Sequence, residues 1–189
     1  MAETTKSSGN DSRISSEILD HSDRQELVIK SSQSNLKKRV LLVVDVANLY
    51  HTLWDKYKRK LNYRKLYSLF CNDAQKVVKA VAYGSFRGDS ASAFIAKLQE
   101  YGYEVQFKPV KEYADGKCKA DWDIGIAMDV VRNLSDVDLV VFATGDGDFV
   151  PCVKYVEEAG KEALMIGCCV SLDARNQVKT REIDKSLLE

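Results

Sequence analysis

Val40 to Val44 is an apolar run without a polar interruption, the pattern of a strand buried on both faces. Four further stretches read as strands: Val77 to Tyr83, the weaker Tyr103 to Phe107, Asp138 to Ala143, and Ala163 to Ile166. Between them the apolar positions follow helical spacing. These segments are Leu49 to Phe70 (two helices, broken near Asn62), Ser90 to Tyr101, Asp121 to Leu134, Phe149 to Ala159 and a last piece near Leu172 to Lys179. Gly102 and Gly160 stand where helix C-terminal caps fall, and each precedes a strand. This alternation predicts an α/β fold, a parallel sheet with helices on both faces. In such sheets function gathers beyond the carboxyl ends of the strands.

The pattern begins late. Residues 1–36 are rich in Ser, Asn, Gln and charge, with no sustained period, and read as a disordered or weakly ordered tail. Its one apolar patch, Leu27-Val28-Ile29, allows a turn or an edge strand, and the tail is a candidate protein-partner segment. Residues 37–189 form the expected domain. The opening MAETTKSSGNDS has no apolar signal core, and no stretch approaches the roughly 18 apolar residues of a membrane span. A cytoplasmic protein without membrane contact is the expectation. Lys+Arg and Asp+Glu both number 28 in the 189 residues, which argues against a bulk polycation but leaves room for a local basic face. The five cysteines are odd in number and form no CxxC, so reduced thiols are expected. His21 and His51 are not spaced for zinc.

Candidate chemistry lies at the strand ends. The first strand runs into Asp45, followed by Val46-Ala47-Asn48, and an acid directly after an apolar strand is costly to desolvate without a partner. The fourth runs into Thr144-Gly145-Asp146-Gly147-Asp148-Phe149. A third acidic segment, Lys119-Ala120-Asp121-Trp122-Asp123, opens an apolar helix. Asp146 and Asp121 each have an ordinary reading as helix caps. As a set they say more: three separated segments deliver acids to one predicted edge, and like charges brought together call for a cation. All-oxygen ligands suit Mg²⁺ or Mn²⁺.

Three motifs at these positions, DVAN (Asp45 to Asn48), GKCKADWDIGIAMDVV (Gly116 to Val131) and TGDGDF (Thr144 to Phe149), resemble the NYN domains of the PIN-like nuclease superfamily, LabA-like branch. The resemblance covers about Arg39 to Leu187, including the closing IDKSL. It implies a PIN-like three-layer α/β/α sandwich with a central, mostly parallel sheet. It also implies an acidic site for Mg²⁺ or Mn²⁺ and, in many members, RNA cleavage. Asp45 and Asn48 match the first motif, Asp123 the acid opening the central helix, and Asp146 and Asp148 the acids of the turn. Asp129 matches a recurrent acid but lies about 240° round the helix from Asp123. Ala47 replaces a common Gly, which is harmless where its φ is negative.

The expected arrangement has Asp45, Asp123 and Asp146 around the ion, Asp148 binding through water or a second ion, and Asn48 orienting a water or phosphate oxygen. Candidate contacts to RNA, single-stranded by preference, are Lys58, Arg59, Lys119 and Arg87. Lys56, Lys60, Arg64 and Lys65 lie in the same basic stretch as Lys58 and Arg59, with Tyr57, Tyr63 and Tyr67 interleaved. The plainer reading of that stretch is a solvated helix face with its tyrosines packed inward, and Trp54 and Trp122 read as core. Two rivals remain in view. One is a LabA-like regulatory module that binds RNA or a protein without turnover. The other is a haloacid-dehalogenase-type phosphotransferase, which needs an acid where Ala47 stands. A dinucleotide fingerprint fails because Val150 occupies its third Gly position.

Overall fold

The structure is a computed structural model that describes residues 36–86, 91–112, 118–119 and 122–189. Residues 1–35 of the tail, with Leu27-Val28-Ile29, and Arg87, Asp121 and the side chain of Lys119 lie outside the described residues.

Eight strands and six α-helices are described: β1 Lys38–Asp45, α1 Val46–Tyr57, α2 Tyr63–Leu69, β2 Gln75–Phe86, α3 Ser92–Glu100, β3 Glu104–Pro109, β4 Lys111–Glu112, β5 Cys118–Lys119, α4 Asp123–Asn133, β6 Leu139–Ala143, α5 Val150–Glu158, β7 Glu162–Gly167, α6 Leu172–Gln177 and β8 Thr180–Glu182. Six strands form one sheet in the order β3-β2-β1-β6-β7-β8, and every pairing in it is parallel. Strands β4 and β5 make a separate antiparallel pair.

The unbroken apolar strands follow from burial on both faces. In β1, Val40, Leu42 and Val44 enter one core with Leu49, Leu53 and Leu66 of α1 and α2. Leu41 and Val43 enter a second core with Ile126, Val130 and Val153 of α4 and α5. The period of two along the strand thereby feeds two apolar layers, which makes the three-layer α/β/α arrangement expected of a PIN-like domain.

Helix α1 starts at Val46, three residues before the predicted Leu49, because Asp45 caps it: its Oδ1 accepts the Asn48 N–H at 3.0 Å. Ala47 lies inside this helix and has no positive φ, so the turn carries no strain from its Cβ. Gly102 and Gly160 close α3 and α5 with φ of 94° and 75°, the left-handed values that favour glycine. β8 was not predicted. Its three residues, Thr-Arg-Glu, lie at the sheet edge with two of them exposed, so it shows no apolar run.

Where β1 and β6 begin, Arg39 grips Asp138 through Nε (3.1 Å) and Nη2 (2.9 Å), and the Arg39 amide donates to the same carboxylate at 2.9 Å. These donors hold the Asp138 carboxyl at about 2, below its ordinary 3.8. The resulting stability is present above about pH 4 and fades as pH falls from 3.8 through about 2. Asp138→Asn is expected to lose stability at pH 7, by well under 1 kcal/mol because the pair is solvent-screened. The difference from wild type is expected to vanish near pH 2 in urea titrations.

Candidate functional site

Strand order places the site. From β1 the chain steps to β2 and β3 on one side, then resumes on the other side with β6, β7 and β8. The reversal falls between β1 and β6, and their carboxyl ends open a crevice there. Val44 pairs with Ala143, so Asp45 and the Thr144–Asp148 turn emerge side by side.

Asn48 ties the two emerging segments together. Its Oδ1 accepts the Gly145 N–H at 2.9 Å, and its amide nitrogen is a donor that this bond does not use. Gly145 permits a close approach: a Cβ there would lie 2.7 Å from the Cys168 carbonyl oxygen. Asp146 receives the Asp148 N–H on Oδ1 at 3.0 Å, and its own N–H donates to Thr144 Oγ1 at 3.2 Å. Asp146 is thus the cap of a short 3-10 turn, Gly147–Phe149, as Asp45 is the cap of α1. A carboxylate has about four lone-pair sites, so a cap bond on Oδ1 does not exclude a ligand.

Asp123 arrives from the third direction, at the first turn of α4. The residue before it fixes its place: the Trp122 indole N–H donates to the Gly84 carbonyl at 2.7 Å, and the ring packs against Tyr83 at 5.5 Å. Tyr83 is the register partner of Asp45, so this anchor sets Asp123 beside β1. Asp129, further along α4, receives the Tyr83 hydroxyl and lies 3.7 Å from Arg132. It fastens the helix to the sheet, in keeping with its different face.

Asp123 and Asp146 stand within electrostatic reach of Asp45. The Asp45 carboxyl is pushed above its ordinary value first by burial and then by the negative charges of Asp123 and Asp146. Asp45, Asp146 and Asp148 make no ion pair among the described residues. The acids nevertheless do not close into a cage: among the described residues no three acidic, His or Cys side chains stand near enough to hold an ion as they are.

Residues 39–183 match the NYN domain family. The chain belongs to that family. A protein of unknown function from Vibrio parahaemolyticus, solved by crystallography, is 30% identical, with a TM-score of 0.75 over 83% of this chain and 99% of that one. A putative aminotransferase from Clostridium difficile also aligns, at 11% identity and a TM-score of 0.28 over 72% of this chain and 42% of that one. That likeness bears on nothing here. No curated protein matches. NYN membership gives a nuclease-like fold of the RNase type. No described helix is long and apolar enough to cross a membrane.

The basic stretch is largely engaged with the end of the chain. Lys65 Nζ donates to the Ser186 carbonyl at 2.8 Å and Arg59 Nη2 to that of Leu188 at 3.3 Å. Lys56 lies 3.8 Å from Glu182, and Lys58 closes α1 in a left-handed conformation. Tyr57, Tyr63 and Tyr67 join the core, the plainer of the two readings. Trp54 corrects the sequence reading: it is 41% exposed, stacked on the 44% exposed Tyr50 at 6.3 Å and 9° between planes. Trp122 is partly buried against the second core.

The Asn48 tie makes a separate prediction. Asn48→Ala leaves the partly buried Gly145 N–H without its acceptor, a loss of about 1–3 kcal/mol. Urea unfolding is the check, and an unchanged midpoint would mean that the tie contributes nothing.

Proposed function

We propose that this NYN domain is a ribonuclease that hydrolyses single-stranded RNA with Mg²⁺ or Mn²⁺ held by its aspartates. The observation that carries this reading is the emergence of Asp45 and Asp146 side by side from the paired strands β1 and β6, with Asp123 at the first turn of α4; the Asp45 carboxyl, raised chiefly by burial, is raised further by the charges of those two acids. Hard oxygen donors suit a hard divalent cation. Asp45, Asp123 and Asp146 would bind it directly, and Asp148, exposed at the rim, through water or a second ion. Bound there, the ion would neutralise phosphate charge and lower the pKa of water. The Asn48 amide N–H is positioned to donate to a phosphate oxygen or to the attacking water. Lys58, Arg59, Lys119 and Arg87 are proposed as outer contacts to the RNA backbone.

The test is cleavage of a labelled single-stranded RNA by the full chain in Mn²⁺, with and without EDTA. Cleavage that EDTA stops is the expected result. Metal-independent cutting would sink the mechanism. The absence of any cutting would favour the second reading, a LabA-like module that binds RNA or a protein partner without turnover. The open spacing of the acids in this structure supports that alternative.

A further inference from the structure

A cavity of about 430 Å³ opens against the core on the α1–α2 side of the sheet, lined by residues of α1, α2 and α3. It lies within the roughly 300–1,000 Å³ of small-molecule sites. Its wall includes Val46, the residue directly after Asp45, and the rings of Tyr50, Tyr63 and Phe94. Lys60 and Lys97, both exposed, stand among its lining residues. Glu189 is the one acid among the described lining residues, and its backbone pairs with that of Lys60. Tyr63 and Phe94 meet edge to face at 5.4 Å, which fixes the wall. The cavity also lies within electrostatic reach of the crevice: the Tyr63 hydroxyl titrates high, chiefly through burial but also through the charge of Asp45.

We propose that this cavity receives a nucleobase of the RNA strand, next to the phosphate presented to Asp45. The proposal rests on the ribonuclease reading and names its substrate subsite. An aromatic, largely apolar wall suits a flat base, whereas an acidic crevice alone repels the polyanion. Lys60 and Lys97 supply the cations that hold the neighbouring phosphates. Tyr50 extends the path, because its stacking on Trp54 one helical turn along α1 offers an exposed platform for a second base. A base must leave a duplex to enter, so the subsite selects single strands.

The experiment uses the full chain, a dye-labelled RNA octamer and the same octamer carrying 4-thiouridine for photocrosslinking. Binding is measured in EDTA, where no metal-dependent cutting interferes. Tyr50→Ala and Lys97→Gln alter exposed side chains, and circular dichroism verifies their fold. Each is expected to weaken binding about ten-fold, within the range of one lost stacking or phosphate contact. The crosslink is expected on Tyr50, Phe94 or Trp54. Wild-type affinity in both variants, or a crosslink elsewhere, overturns the subsite and leaves the ribonuclease reading standing if the RNA is cut in Mn²⁺. Variant-sensitive binding without any cutting supports the subsite and removes the catalytic reading. No binding by the wild-type chain ends the subsite proposal.

Discussion

Asp146→Asn is expected to abolish Mn²⁺-dependent RNA cleavage while leaving the fold in place. The two halves of that expectation come from the same side chain. As a cap, Asp146 needs only an oxygen acceptor for the Asp148 N–H, and an asparagine Oδ1 supplies one at the same position. Its backbone bond to Thr144 does not involve the side chain at all. As a ligand it needs a negative charge, which asparagine lacks. Metal stabilisation of a phosphoryl transition state is worth several kcal/mol. A loss of about 4 kcal/mol corresponds to about a 10³-fold fall in kcat. The measurement is single-turnover cleavage, paired with thermal unfolding in EDTA. Cutting at the wild-type rate would remove Asp146 from the mechanism. A collapsed melting curve would show instead that the residue is needed for the turn.

What the chain discloses before folding depends on how local the information is. Asp45 and Asp146 are legible because each follows an apolar run, and a run buried on both faces announces both the strand and its end. The boundary at Asn62 is legible for a similar reason, since its Oδ1 accepts the Lys65 N–H at 2.9 Å and starts α2. Asp123 is less so. Its place depends on the Trp122 indole reaching the Gly84 carbonyl 38 positions earlier, a contact that no period in the sequence records. Trp54 misleads because residue type carries no direction. Trp54, read as core, stands instead beside Tyr50 on the exposed side of α1. The edge strand β8 has no apolar run to disclose it, and the cavity is assembled from residues between Val46 and Glu189. Alternation therefore reveals the layers and their ends, whereas the shape between layers emerges only on folding.

Asp45→Asn should divide stability from metal binding. In wild type the carboxyl titrates high because burial and two neighbouring acids disfavour its charge. An acid whose folded value is raised costs stability when ionised. The cost is absent below the ordinary value of 3.8 and grows as pH rises through the raised folded value. Asparagine keeps an Oδ1 to cap α1 and removes the charge. The variant is therefore expected to melt above wild type at pH 7 in EDTA, with the gap narrowing as pH falls toward 4. Adding metal should reverse the order. An ion at 100 times its Kd stabilises a folded site by about 2.7 kcal/mol. For a chain of this size that is a rise in Tm of roughly 5–11 °C. Wild type should show this rise with Mn²⁺, and the variant should show little of it. Equal metal-induced shifts in the two proteins would place the ion away from Asp45. A variant less stable than wild type in EDTA at pH 7 would mean that the ionised carboxylate strengthens the helix cap by more than the surrounding acids disfavour it. The acidic crevice would then need no counter-ion.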